Sequence, residues 1–202
     1  MSKRIVRVLA LAGALAFGAA GVAQAQSPVP GKPGTLNIVE TASAVNQGPL
    51  GEFDYLLAAA TCDAFDGAVV ALLTGTDKYT VFAPSDAAFE NLLRTLFPAE
   101  TPTPAKLCAD DPKLPLAAVL EVLTYHVTDG RRFSNSVFNE RSVKMVEMLN
   151  QQYIVTNPNL TINDVAGQVV RPVVYQGTPL VNINASNGVI HVIDTVLLPF
   201  AP

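Results

Sequence analysis

The sequence is short of basic residues, and this shortage limits the partners it can bind. Of its 13 Lys and Arg residues, three (Lys3, Arg4 and Arg7) lie in the first 25 positions, where no acidic residue occurs. The rest of the chain holds ten basic and seventeen acidic residues and has a net charge of −7. Nucleic acids and anionic membrane surfaces both attract a basic face, so the composition argues against either as a partner.

Residues that usually build catalytic or metal sites are also scarce. The chain has two histidines, His126 and His191, and it lacks a Gly-x-Ser-x-Gly elbow, a phosphate-binding glycine loop and a zinc-ligand cluster. His191 and Asp194 could share a metal, but on a strand their odd separation directs the two side chains to opposite faces. The sequence therefore predicts a protein that is not an enzyme and that needs no cofactor or metal.

The N-terminus has the pattern of a secretory signal. A positively charged start is followed by an apolar stretch over residues 8–20 and by the small-residue site Ala23-Gln24-Ala25. The stretch is short for a membrane span, which needs about 20 residues. We therefore predict a signal peptide at residues 1–25, a flexible Pro/Gly-rich lead-in at residues 26–34, and a secreted or periplasmic protein without a later membrane span.

Cys62 and Cys108 are the two cysteines of the chain. Export places them in an oxidising compartment, where disulfides form and persist. We predict that they pair. Two separate buried thiols are the alternative, because the sequence does not give the distance between them.

Apolar spacing predicts helices in the first half of the domain and strands in the second. A strand is predicted at residues 79–83, and helical spacing covers residues 52–65, 68–73, 85–96 and 116–123. Short Val, Ile and Tyr runs separated by turn residues follow at residues 143–149, 153–156, 160–162, 169–175, 180–183 and 189–198. This order indicates one α+β domain over residues 35–202. Residues 98–115 contain five prolines and are predicted to form an insertion held by Cys108.

Three segments carry the most specific information. Residues 80–89 (Thr-Val-Phe-Ala-Pro-Ser-Asp-Ala-Ala-Phe) predict a strand, a proline stop and a helix capped by Ser85. Residues 187–194 begin with Asn-Gly, a hairpin signal, and continue as a Val/Ile strand. Residues 123–127 (Leu-Thr-Tyr-His-Val) lie between them. In this order the segments resemble the two signature segments and the Tyr-His segment of the fasciclin domain family.

The resemblance implies a wedge of short β-strands with helices packed on one side. It also implies a binding or adhesion module that contacts cell-surface or matrix protein or carbohydrate. Tyr125 and His126 match the family's Tyr-His segment and are implied to be partner-contact or scaffold residues. Some family members carry carotenoids, so a soluble carrier of an apolar small molecule is the alternative. Met145 and Met148 suit such a site, although methionine is also an ordinary core residue.

Several polar residues have a structural and a functional interpretation. Ser85 and Asp86 could be a nucleophile and an acid, but a helix cap is the simpler role for both. His191 lies in a run that is apolar on both faces and is predicted to be in the core. His126 lies at a helix-to-strand junction and is predicted to be nearer a functional surface. Two further residues fit the N-glycosylation pattern, Asn159 and Asn184.

Overall fold

The structure is a computed structural model that describes residues 34–48, 50–138 and 142–200. The predicted signal peptide (residues 1–25) and all of the predicted lead-in except Gly34 lie outside the described residues. In the described ranges, no helix has the length and apolar character needed to cross a membrane.

Helices dominate up to residue 125 and short strands dominate after it. The α-helices are α1 (Ile38–Asn46), α2 (Asp54–Ala60), α3 (Ala68–Thr74), α4 (Asp86–Leu96), α5 (Leu116–Tyr125) and α6 (Ser134–Val137). Two 3₁₀ helices cover Asp63–Phe65 and Pro104–Cys108. The strands are β1 (Tyr79–Pro84), β2 (Val127–Asp129), β3 (Lys144–Glu147), β4 (Tyr153–Thr156), β5 (Ile162–Asn163), β6 (Val169–Val170), β7 (Val174–Tyr175), β8 (Thr178–Pro179), β9 (Ile183–Ala185) and β10 (Gly188–Ile193). The predicted α+β class is confirmed.

Several differences from the predicted elements lie at element ends, but the strand predicted at residues 180–183 falls mostly between β8 and β9. Helix α1 falls in a segment whose pattern is ambiguous. Its start is nevertheless marked in the sequence, because Asn37 and Glu40 form a capping box. Helix α5 runs two residues further than predicted and includes Tyr125. The predicted run at residues 169–175 divides into β6 and β7, with Pro172 between them.

A central sheet with the order β2-β1-β10-β9 brings the two signature segments side by side. Strands β1 and β10 are parallel, with Tyr79 opposite Gly188 and Phe82 opposite His191. Strands β2 and β9 flank this pair in antiparallel orientation. A second, antiparallel sheet has the order β3-β4-β5-β6, and β7 and β8 form a separate hairpin.

The central sheet separates two apolar cores. Alternate residues of β1 and β10 face the core formed with α1 to α5, among them Val81, Ala83, Ile190 and Val192. The opposite face, with Phe82 and Ile193, packs on the second sheet and on Val137 of α6. Because both faces of β1 and β10 are covered, these strands are apolar at nearly every position. The predicted packing of helices on one side of the strands is confirmed for α1 to α5.

Candidate functional site

Tyr125 and His126 lie where α5 ends and β2 begins, and both are buried. Tyr125 is 0% exposed and His126 is 2% exposed. Tyr125 belongs to the core between the two sheets. At this exposure the His126 ring offers a partner almost no surface, which argues against a contact role; that His126 lies near a functional surface stays a prediction.

The Tyr125 hydroxyl joins helix α5 to the second sheet. It donates to the Tyr153 carbonyl oxygen at 2.9 Å and accepts from the Val165 backbone N–H at 3.2 Å. Burial raises the pKa of Tyr125 to about 12. The phenol therefore stays protonated at neutral pH and keeps its donated hydrogen bond.

His126 joins the same helix to the C-terminal segment. Its Nδ1 lies 2.7 Å from the Val122 carbonyl oxygen, and its Nε2 lies 2.9 Å from the Leu197 backbone nitrogen. A carbonyl oxygen only accepts and an amide N–H only donates, so the ring is neutral with its proton on Nδ1. Burial lowers the pKa of His126 to about 4. Of the two roles implied for the Tyr-His segment, these contacts favour the scaffold.

His191 lies in the core, as predicted. Its ring is neutral with the proton on Nε2, whereas His126 carries its proton on Nδ1. Its Nε2 is 2.8 Å from the Arg132 carbonyl oxygen, and its Nδ1 accepts from the Asn182 N–H at 3.4 Å. The ring stacks on Phe82 and meets Phe138 edge-on, with centroids 5.6 and 5.7 Å apart. Burial lowers the pKa of His191 to about 4 as well.

Ser85 and Asp86 hold helix ends in place. Ser85 is the N-cap residue of α4, and its Oγ accepts from the Ala88 N–H at 3.3 Å. Asp86 reaches across to α2, where its Oδ1 accepts from the Tyr55 N–H at 3.0 Å. Desolvation raises the pKa of Asp86. Each histidine nitrogen is bonded to a backbone atom, so within the described residues Ser85 has no histidine base.

A disulfide joins Cys62 to Cys108, which confirms the predicted pairing. It connects the loop after α2 to the 3₁₀ helix of the Pro-rich segment 98–115. That this segment is an insertion relative to the family stays a prediction. No group of three or more His, Cys, Asp and Glu residues could hold a metal ion in the part of the chain that the structure describes.

Asn187 and Gly188 lie at the turn between β9 and β10, as the hairpin pattern indicates, and they also hold neighbouring elements against the central sheet. Asn187 is buried; its Oδ1 accepts from the Ile38 N–H at 2.8 Å, and its Nδ2 donates to the Leu73 carbonyl oxygen at 2.7 Å. One side chain thus joins the start of α1 and the end of α3 to the central sheet. A Cβ atom on Gly188 would lie 2.3 Å from the Tyr79 carbonyl oxygen, so the strand pairing requires glycine here.

The second sheet exposes apolar side chains on the face that points away from the core. The strand register places Met145, Val155, Asn163 and Val169 in one row across its four strands. Met145 is 69% exposed, Val169 47% and Tyr153 45%. We call the surface formed by Met145, Tyr153, Val155 and Val169 the outer sheet face. The alternation of side chains along residues 143–149 and 153–156 is the sequence pattern that indicates such a face. Because these strands are short, the pattern does not show which of the two faces is buried.

A cavity of about 180 Å³ lies between α4, α5 and the Pro-rich segment. We call it the α4–α5 cavity. Its walls include Phe89, Leu96, Leu107, Leu114, Ala118 and Val119. Lys113 is the one charged residue among the described residues that line it.

The predicted glycosylation positions differ in accessibility. Asn159 lies in an exposed turn, where its Oδ1 accepts from the Thr161 hydroxyl. Asn184 is buried in β9, opposite Val189 of β10. The structure therefore favours Asn159 over Asn184 as an acceptor in the folded protein.

Comparisons with known proteins agree on one family. The fasciclin domain model matches residues 59–199. Protein sll1483 of Synechocystis sp. is 30% identical over 198 residues, covering 97% of this chain and 96% of that protein. Transforming growth factor-beta-induced protein ig-h3 of Sus scrofa is 29% identical over 131 residues, covering 63% of this chain and 16% of ig-h3. A solved FAS1 domain pair from the insect cell adhesion molecule Fasciclin I has a TM-score of 0.55 at 17% identity. The match covers 82% of this chain and 51% of the domain pair.

Proposed function

This chain belongs to the fasciclin domain family, and from that premise we propose that it is a non-enzymatic binding and adhesion module. Its partner is a cell-surface or matrix protein or carbohydrate, and it acts in the secreted or periplasmic space. A relative that is described as a cell adhesion molecule, Fasciclin I, supports the proposal. The chain spans about half of that domain pair and a smaller part of ig-h3, so their partners do not carry over directly.

The observation that carries the proposal is the outer sheet face. Met145 and Val155 are paired on this face with Tyr153 beside them, and Val169 lies beyond Asn163 in the same row. The polar residues that first suggest a site, His126 and His191, are buried and fully hydrogen-bonded. Exposed apolar side chains that form a contiguous patch are typical of interaction surfaces.

The chemistry of this face favours a protein partner over a carbohydrate. Sugars carry hydroxyl groups at most positions, and each one that is buried needs a hydrogen-bond partner. The row offers Met145, Val155 and Val169, which have no such groups, and one amide, Asn163. Aromatic residues and methionine are enriched in protein–protein interfaces.

A pair of valine substitutions tests the proposal. Val169→Glu places a charge on the outer sheet face, whereas Val174→Glu places it on an exposed valine of the separate β7–β8 hairpin. We expect Val169→Glu to reduce cell or matrix-protein adhesion and Val174→Glu to leave it unchanged, with equal melting temperatures. Equal adhesion of the two variants contradicts the proposal. If Val169→Glu reduces adhesion to glycan-coated surfaces but not to proteins, the partner is a carbohydrate.

The localisation depends on the predicted signal peptide. We propose that residues 1–25 are removed and that the exported protein begins at Gln26. The intact mass of protein recovered from outside the cytoplasm tests this. A mass that still includes the first 25 residues contradicts it.

A second candidate function, the carriage of an apolar small molecule, is supported by the α4–α5 cavity. At about 180 Å³ the cavity is smaller than the roughly 300 Å³ at which ligand pockets usually begin, so it favours a small ligand over a carotenoid. Met145 is exposed and Met148 lies in the core between the sheets, so neither lines this cavity. A visible absorbance band in the purified protein would instead favour a carotenoid.

A further inference from the structure

We propose that the α4–α5 cavity binds a medium-chain aliphatic monocarboxylate, with its alkyl chain inside and its carboxylate at Lys113. The inference rests on the second proposed function and names its ligand class. It does not depend on adhesion through the outer sheet face, which lies on the second sheet and shares no residue with the cavity lining.

The size of the cavity sets the length of the chain. An apolar protein cavity of about 150 Å³ stays dry and takes up benzene, which has six carbon atoms. A cavity of about 180 Å³ with walls of Leu, Val, Ala and Phe therefore accommodates roughly six to eight carbons. These apolar walls offer an alkyl chain dispersion contacts.

The position of Lys113 sets the charge of the head group. Its ammonium group is 3.4 Å from the Leu96 carbonyl oxygen and 5.6 Å from the centre of the Phe97 ring. An ammonium group has three donors, so contact with Leu96 leaves donors for a carboxylate. Since no acidic residue lines the cavity within the described ranges, an anionic head group is attracted and a cationic one is repelled.

The Pro-rich segment supplies one side of the cavity, which gives this segment a function. Leu107 and Leu114 come from it, and Leu107 directly precedes Cys108. The Cys62–Cys108 disulfide holds this wall against the end of α2, which contributes Ala59 to the lining.

A chain-length series measured by calorimetry tests the inference on the oxidised protein. With hexanoate, heptanoate, octanoate, decanoate and dodecanoate, we expect affinity to rise about fourfold per methylene group. The rise should stop at about eight carbons, where the cavity is full. A gain that continues through dodecanoate indicates adsorption to a surface and overturns the proposal.

The head group is tested with three ligands of one chain length. Octanoate should bind more tightly than 1-octanol, and octylamine should bind least. If 1-octanol binds as well as octanoate, the apolar carrier function stands and the carboxylate inference is wrong. If none of the three binds, both are wrong.

Two lysines provide a matched pair of variants. Lys106 also lies over the Phe97 ring, at 4.8 Å, but it is paired with Glu100 and does not line the cavity. We expect Lys113→Gln to weaken octanoate binding two- to fivefold and Lys106→Gln to leave it unchanged. Equal effects of the two substitutions contradict the role of Lys113.

A third variant tests the cavity itself. Ala118 lines it from α5, so Ala118→Leu fills part of the space. We expect octanoate binding to be lost while the melting temperature is kept or raised. A folded Ala118→Leu protein that binds octanoate normally overturns the placement of the alkyl chain.

Discussion

Mild acid should destabilise this protein through His126 and His191. Both rings are buried and neutral, and both have a pKa lowered from 6.5 to about 4. Between these two values the unfolded chain binds protons at both histidines and the folded chain does not. The free energy of unfolding therefore has its full value above pH 6.5 and falls as the pH drops towards 4.

The size of the effect follows from these pKa values. Between pH 7 and pH 5.5 each histidine should reduce the free energy of unfolding by roughly 1 kcal/mol, and the two together by roughly 2 to 3 kcal/mol. Asp86 and Glu52 have raised pKa values, so their titration acts in the opposite direction and offsets part of this loss. Variants that lack one histidine ring therefore separate the histidine contribution from that of these carboxyls.

Urea unfolding at pH 7 and pH 5.5 measures this difference. His126→Asn and His191→Asn each remove one titrating ring, so each variant should keep about half of the pH dependence. Each variant should also be less stable than the parent at pH 7, because buried hydrogen bonds are lost. A parent protein with equal stability at the two pH values refutes the reasoning, as does a variant with the full dependence.

Three further changes should lower the stability of the fold. Gly188→Ala should cost about 3 kcal/mol or more in urea unfolding, because its Cβ meets the Tyr79 carbonyl oxygen; a loss below 1 kcal/mol contradicts the close strand contact. Ser85→Ala should cost about 1 kcal/mol through the lost N-cap, and an unchanged unfolding curve argues against that role. Loss of the Cys62–Cys108 disulfide, which closes a loop with a sequence separation of 46, should cost about 4 kcal/mol. Thiol labelling of denatured, unreduced protein should find no free cysteine; two labelled cysteines contradict the pairing.

Local patterns predict the two central strands and helix α4 well. Pro84 and Ser85 mark the end of β1 and the start of α4 because proline stops a strand and serine caps a helix. The apolar run of β10 indicates burial on both faces, and the structure has cores on both sides.

The surroundings of Tyr125 and His126 could not be predicted in the same way. The junction pattern suggests accessibility, but His126 is covered by Leu197, which is 71 residues further along the chain. The local sequence likewise indicates that Asn187 is a turn residue. Its structural role depends on Ile38, which is 149 residues away in the sequence but donates a hydrogen bond to it in the fold. Contacts between distant segments decide whether a polar residue is exposed or structural, and they leave no local pattern.

Oriented coupling to beads tests the central claim, adhesion through the outer sheet face, most directly. Beads that carry the protein through a thiol introduced by Met145→Cys hide this face, whereas coupling through Val174→Cys attaches the protein at the separate β7–β8 hairpin. At equal protein density, we predict that beads coupled at position 174 adhere to cells and that beads coupled at position 145 do not. Equal adhesion in the two orientations contradicts the account.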